Sequence, residues 1–430
     1  MADDILRAQL PNGLTVQLKE IHTAPLISHW VWYRVGSRYE QNGKRGISHW
    51  VEHMQFKGTP RFPAGVPDKA IARTGGTWNA FTHMDWTTYF ETLPADHLSL
   101  ALEIESDRMV NSLFDPKEVE AERTVILSEL AGNLNEPLFL LSDAVQKASF
   151  EQHPYRNEVI GTPEDLQNIR RDDLFEYYRH YYHPANALVA IAGDFDAGQI
   201  LRQIEDRYGA IPPGKPAQNP TTPEPPVAEE RHLAVSGPGE TVYLQIAYRS
   251  PAAADADFFS MTVLDSLLAG PTSLNMFGGG GISNKTSRLY RALVENEWAV
   301  GISGGMQATF DPFLYDLTIT LRPDRNPDEV LAVVDDEIKR LQDAPVSEQE
   351  IQRAIKQARA MFAYGSENIT NQAFWLGFAE MFADYGWFSG YLTRLAEVTP
   401  ADVQRAAQRW LPSNQRVVGV YYPLNGGPGA

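Results

Sequence analysis

Seven prolines crowd the twenty residues 211–230, IPPGKPAQNPTTPEPPVAEE, and no other stretch constrains the fold of this 430-residue chain as much. Proline fixes φ and lacks an amide donor, so this density excludes a helix interior or a central strand. A stiff, polar segment of this kind belongs on the surface, as a linker between separately cored units. It divides the chain into residues 1–210 and 231–430, each long enough to bury a core. A hydrophobic content of 43% supplies the apolar side chains for two cores.

The two parts read alike. The first opens on a hairpin signal, Pro11-Asn12-Gly13, between alternating apolar residues. A strand is expected near 26–36 and a helix over 46–57; the second part offers a strand over 241–249 and a helix near 256–269. Each part closes on a helix, a Pro-x-Asn turn and a β-rich run: HPANALVAIAG from His183, and LPSNQRVVGVYY from Leu411. Between them, apolar residues at i, i+3 and i+4 predict helices over 96–112, 117–132 and 327–343. The expected fold class is α+β: two homologous, sandwich-like halves with mostly antiparallel sheets and helices packed on them, related by internal duplication.

Charge and composition exclude several functions. The chain has no cysteine, which removes disulfides, iron–sulfur sites and thiol catalysis, so any metal must rest on His, Asp or Glu. A net charge of −18 opposes nucleic acid and an anionic membrane as partners. No window approaches the apolar length of a membrane span, and the first residues lack a secretory pattern, so a cytoplasmic protein is expected.

One motif carries chemistry. His49-Trp50-Val51-Glu52-His53 sets two histidines at i and i+4 on one helix face, with Glu52 directed toward the same face. Two imidazoles one turn apart suit zinc, and the carboxylate between them can reach a bound water. The order is the inverse of the commoner H-E-x-x-H. Two core histidines and a surface glutamate would give the same spacing. In EVEAERTVILSELAG, residues 119–133, Glu122 and Glu129 lie two turns apart on one face, with Val125, Ile126 and Leu130 expected on the other side. An inward carboxylate there would supply a third ligand; a solvated charged face is the plainer reading.

With these residues in view, the sequence resembles the inverted-motif zinc peptidases of the pitrilysin and mitochondrial processing peptidase family. That family has a glutamate ligand about 76 residues after the second histidine, which is the position of Glu129. The surrounding text, GISHWVEHMQFKGT and AERTVILSEL, matches as well. The resemblance implies one zinc ion per chain held by His49, His53 and Glu129. It also implies Glu52 as general base and Glu122 as a second glutamate supporting the site. Asn79, Ala80 and Phe81, in GGTWNAFTHMDWTTYF, match the strand that holds an extended peptide substrate by adding it to a sheet edge. The bland reading of that stretch is a hairpin whose Trp78, Phe81 and Trp86 pack a core.

The chain also departs from the family. All ten histidines lie at or before His232, so the second half cannot hold an equivalent metal site and is expected to act as a chamber wall. Active members supply an arginine and a tyrosine from the second half. In SRLYRALVENEWAVGIS, valines Val294 and Val300 occupy those places, with Arg288, Tyr290 and Arg291 close by. A homologous partner subunit carrying that pair is therefore expected, with a homodimer as the competing arrangement. The other reading is a non-catalytic, zinc-stabilised assembly subunit. The run Phe277–Gly281 before Lys285-Thr286 misses the phosphate-loop pattern at Asn284, and a flexible loop is the expectation there. His180 and His183 are expected in core or capping roles.

Overall fold

The computed structural model describes residues 5–220, 223–275 and 282–424. In the first part β1 (Ile5–Gln9) and β2 (Thr15–Glu20) flank the Pro11-Asn12-Gly13 turn, where Gly13 adopts φ 90°. With β3 (Leu26–Tyr33), β4 (Thr77–Thr82), β5 (Thr87–Pro94) and β6 (Ala187–Gly193) they form a six-stranded sheet, ordered β1-β2-β6-β3-β5-β4. Only β2 and β6 run parallel.

The second sheet repeats this plan. It contains β7 (Arg231–Gly237), β8 (Tyr243–Arg249), β9 (Ala299–Met306), β10 (Leu314–Leu321) and β11 (Arg416–Pro423), ordered β7-β11-β8-β10-β9. Here β7 and β11 are the parallel pair. Strand for strand, β2-β6-β3-β5-β4 and β7-β11-β8-β10-β9 share one topology, with β1 as the addition. Two halves of the same design bear out the α+β duplication.

The compact units exchange segments. One comprises Met1–Leu130, Asn157–Thr221 and Glu367–Phe388; the other comprises Ala131–Arg156, Thr222–Ser366 and Ser389–Ala430. Each sheet is thus covered by a helix from the opposite half of the sequence. Helix Ile369–Phe378 lies on β3 and β6, and helix Pro137–Ser149 lies on β7, β8 and β11. The first case has a clear cause. Trp30 and Trp32, two apart on β3, project from one face and stack at 5.5 Å, with Phe90 stacked on Trp30 at 4.3 Å. Phe374 closes on both tryptophans at 5.5 and 5.4 Å, and Phe378 reaches Trp32 and Trp86. Gly377 is required there, because a Cβ would fall 2.0 Å from Trp32 Nε1.

The described linker residues, 211–220 and 223–230, form neither helix nor strand, as the proline density requires. Glu224 fixes the second stretch: its carboxylate accepts the backbone N–H groups of Glu151, Gln152 and His153 at 2.6, 2.9 and 2.6 Å. The glycine run 277–281 lies outside the described residues. Among the described residues no helix is long and apolar enough to cross a membrane.

Candidate metal centre

Helix Ile47–Met54 carries the histidine motif, and its start is built by two residues. Gly46 takes φ 87°, and a Cβ on it would meet Ile160 O at 2.5 Å. Glu40 then accepts the free N–H groups of Gly46 and Ser48 at 2.8 and 2.9 Å, the role an N-cap side chain otherwise plays. Burial pushes the Glu40 carboxyl up to about 7. Nothing in the local pattern marked Glu40, because it acts from a loop six residues before the helix.

Helix Pro116–Asn133 is held against this one by Arg123. Its guanidinium lies 4.7 Å from the centre of the Trp50 ring and donates to Ile169 O at 2.9 Å. Ile126 and Leu130 are buried, but Val125 is 48% exposed, contrary to the expectation that the three share one side of the helix. Round the helix Glu122 and Glu129 lie between Val125 and Ile126, so Val125 falls on the solvent side of the pair and Ile126 on the core side.

The two helices bring the expected site residues together. One ligand atom each from His49, His53 and Glu129 lies within 4.8 Å of the others. Glu129 Oε2 is 3.9 Å from His49 Nε2 and 3.8 Å from His53 Nε2. These separations are too long for hydrogen bonds. Ligands about 2.0–2.2 Å from a shared tetrahedral ion stand roughly 3.4 Å apart, so Glu129 need close on each histidine by only about half an ångström. The donor set fits zinc on chemical grounds as well. Burial, with His53 beside it, drives the His49 pKa down to about 3, which keeps its imidazole in the neutral, ligating form. His53 donates from Nδ1 to Glu122 Oε2 at 2.9 Å, so its Nε2 is left as the ligand atom. Lys57 forms an ion pair with the other Glu122 oxygen.

Glu52 sits beside this group, 9% exposed, and burial raises its pKa. The Thr82 hydroxyl opposes that by donating to Glu52 Oε2 at 2.6 Å. Thr82 belongs to β4, the edge of the sheet, which pairs with β5 alone among the described strands. Trp78, Ala80 and Thr82 share the face toward the histidine helix, and Trp78 packs on Phe56 at 4.7 Å. Phe81 points from the other face, where its ring stacks on Phe90 at 6.1 Å. Asn79 is exposed, and its Oδ1 accepts the Ala80 N–H at 2.9 Å. Of the three residues matched to peptide binding, Asn79 and Ala80 thus meet at the strand's edge, whereas the Phe81 side chain is turned away. Of the two histidines expected in core or capping roles, His183 is buried and His180 is exposed.

In the second half, Val294 is half-buried and Val300, on the edge strand β9, is 64% exposed. Arg288 is engaged with Glu350 at 3.0 Å. Lys57, Thr82 and Glu40 are site neighbours that the sequence reading did not assign.

Two family models match the chain. One, described as insulinase (peptidase family M16), covers residues 15–163; the other, described as peptidase M16 inactive domain, covers residues 168–358. An "uncharacterized zinc protease" of Streptomyces coelicolor is 27% identical over 416 residues, 94% of this chain and 86% of the relative. A "probable mitochondrial-processing peptidase subunit beta" of Arabidopsis thaliana is 27% identical over 280 residues, 63% of this chain and 51% of that one. The crystal structure of a protease from Helicobacter pylori superposes with a TM-score of 0.90 at 24% identity, covering 98% of this chain and all of that one.

Proposed function

The chain belongs to the M16 family of pitrilysin-like, insulinase-type peptidases, and from that premise we propose that it is a zinc metalloendopeptidase acting on unfolded peptides. The observation that carries this reading is the meeting of His49 Nε2, His53 Nε2 and a Glu129 carboxylate oxygen beside the buried Glu52, all next to an open sheet edge. Zinc bound there supplies Lewis acidity, lowering the pKa of a coordinated water and taking up charge on a polarised carbonyl.

The chain's own residues do the rest. Thr82 occupies Glu52 Oε2, which leaves Oε1 free to take a proton from water and pass it to the leaving amine. Burial suits Glu52 to this task by raising its basicity above that of a solvated carboxylate. Glu122 keeps the His53 ring turned so that Nε2 faces Glu129. The peptide adds as a strand along β4, its carbonyl replacing Asn79 Oδ1 on the Ala80 N–H. A folded protein has no free strand to offer, so unfolded segments are the substrate class.

The site is completed by a second subunit. Val294 and Val300 offer only apolar side chains where active relatives place an arginine and a tyrosine, donors worth orders of magnitude in rate. A second copy of this chain brings the same valines, so the partner is a homologous subunit that carries the pair. Mixing experiments test this: zinc-loaded chain alone cleaves a quenched, unstructured peptide slowly, and the homologous subunit raises turnover at least a hundredfold, on the order expected for restored transition-state donors. Full turnover by the isolated chain would refute the split site.

A further inference from the structure

Lys57 lies four residues beyond His53, past the end of the histidine helix, where its amide donates to Met54 O at 3.0 Å. Its ammonium returns to the site and pairs with Glu122 Oε1, while Glu122 Oε2 accepts His53 Nδ1–H at 2.9 Å. Glu122 is 5% exposed, and among the described residues Lys57 is the one lysine or arginine paired with it. We infer that Lys57 is a positioning residue for the metal site, acting through Glu122 on His53.

The physical argument is one of orientation. A carboxylate with one oxygen unclaimed can rotate about its last bond, and the ion pair with Lys57 on Oε1 holds Glu122 against that rotation. Rotation removes the acceptor that fixes the His53 tautomer and ring plane. Such outer hydrogen-bond partners typically contribute about 10–100-fold to metal affinity. A bare positive charge near a divalent cation does the reverse, because it repels the ion. Orientation and simple charge therefore predict opposite signs when Lys57 is neutralised.

This inference rests on the assignment of zinc to His49, His53 and Glu129, and the test separates the two. Zinc affinity is measured by chelator competition, and melting midpoints are taken on the metal-free proteins. The set comprises wild type, Lys57→Met, Lys57→Gln, Lys57→Arg, Glu122→Gln and Lys57→Met in the Glu122→Gln background. Both neutral variants are expected to bind zinc about tenfold or more weakly. Lys57→Arg keeps affinity near wild type, and Lys57→Met adds nothing once Glu122 is glutamine. Unchanged or tighter binding in the neutral variants overturns the inference, as does an equal loss in the Glu122→Gln background. A lowered metal-free midpoint with unchanged affinity also overturns it, since that marks an ordinary ion pair. Failure of the wild type itself to bind zinc removes the metal assignment instead.

Discussion

In the proposed mechanism Glu52 handles the proton and Thr82 tunes it, and their contact has a testable sign. Burial raises the Glu52 pKa, and the Thr82 hydroxyl lowers it by donating to the ionised form. Thr82→Val removes that donor, so the carboxylate is less stabilised and its pKa rises further. The acidic limb of the pH profile of kcat/KM is therefore expected at higher pH in Thr82→Val than in wild type. A limb that stays or moves down would show that the hydroxyl does not act on the group that governs the limb. At this scale the i, i+4 spacing marked His49 and His53 as sharing a helix face, whereas Glu129 was singled out by the family resemblance rather than by its own spacing. Lys57, Thr82 and Glu40 carried no such mark, since each reaches the site from a loop or a strand whose place depends on tertiary packing. Val125 misled because it was grouped with Ile126 and Leu130 across from the glutamates, whereas round the helix Glu122 and Glu129 stand between it and Ile126, and it meets solvent on their far side.

Among the elements, helix Ile369–Phe378 shows best what the sequence withheld. Its residues ITNQAFWLGF are apolar nearly all round, which marks a buried helix but not its partner. The partner is the Trp30–Trp32 face of a sheet more than 330 residues earlier in the chain. Gly377→Ala places a methyl group 2.0 Å from Trp32 Nε1, so the ring or the helix must move. Overpacking of this kind costs about 1–3 kcal/mol, and a lower denaturant midpoint is expected. An unchanged midpoint would mean that the helix does not sit tightly on β3. The strands were legible by contrast: the runs expected near 26–36 and over 241–249 form Leu26–Tyr33 and Tyr243–Arg249, both buried over most of their length. The open edge at β4 gives a third test. Asn79→Ala frees the Ala80 N–H from its internal acceptor, so KM for a peptide substrate is expected to change while zinc content stays constant. A changed zinc content would place Asn79 with the metal rather than with the peptide.

In the whole molecule, the chain crosses between its compact units five times, at 130/131, 156/157, 221/222, 366/367 and 388/389. The proline-rich linker revealed only one of these crossings, because exchange of helices leaves no mark on local composition. Residues 1–210 alone would lack the cover over Trp30, Trp32 and Phe90. Losing burial of such rings at about 2 kcal/mol each removes much of a typical domain's stability. That fragment is expected to lack a cooperative melting transition, and co-expression with residues 211–430 is expected to restore one; a cooperative melt by the fragment alone would contradict the exchange. The duplication itself was legible in outline, since both halves run through the same succession of strands; among the described residues the His49, His53 and Glu129 group lies in the first half. The measurement that bears most directly on the central claim compares wild type with Glu52→Gln for zinc content and for cleavage of a quenched, unstructured peptide, each alone and mixed with the homologous subunit. One equivalent of zinc in both proteins, with cleavage confined to wild type, is the predicted result; equal cleavage by the two, or zinc that survives His53→Ala and Glu129→Ala, would contradict it.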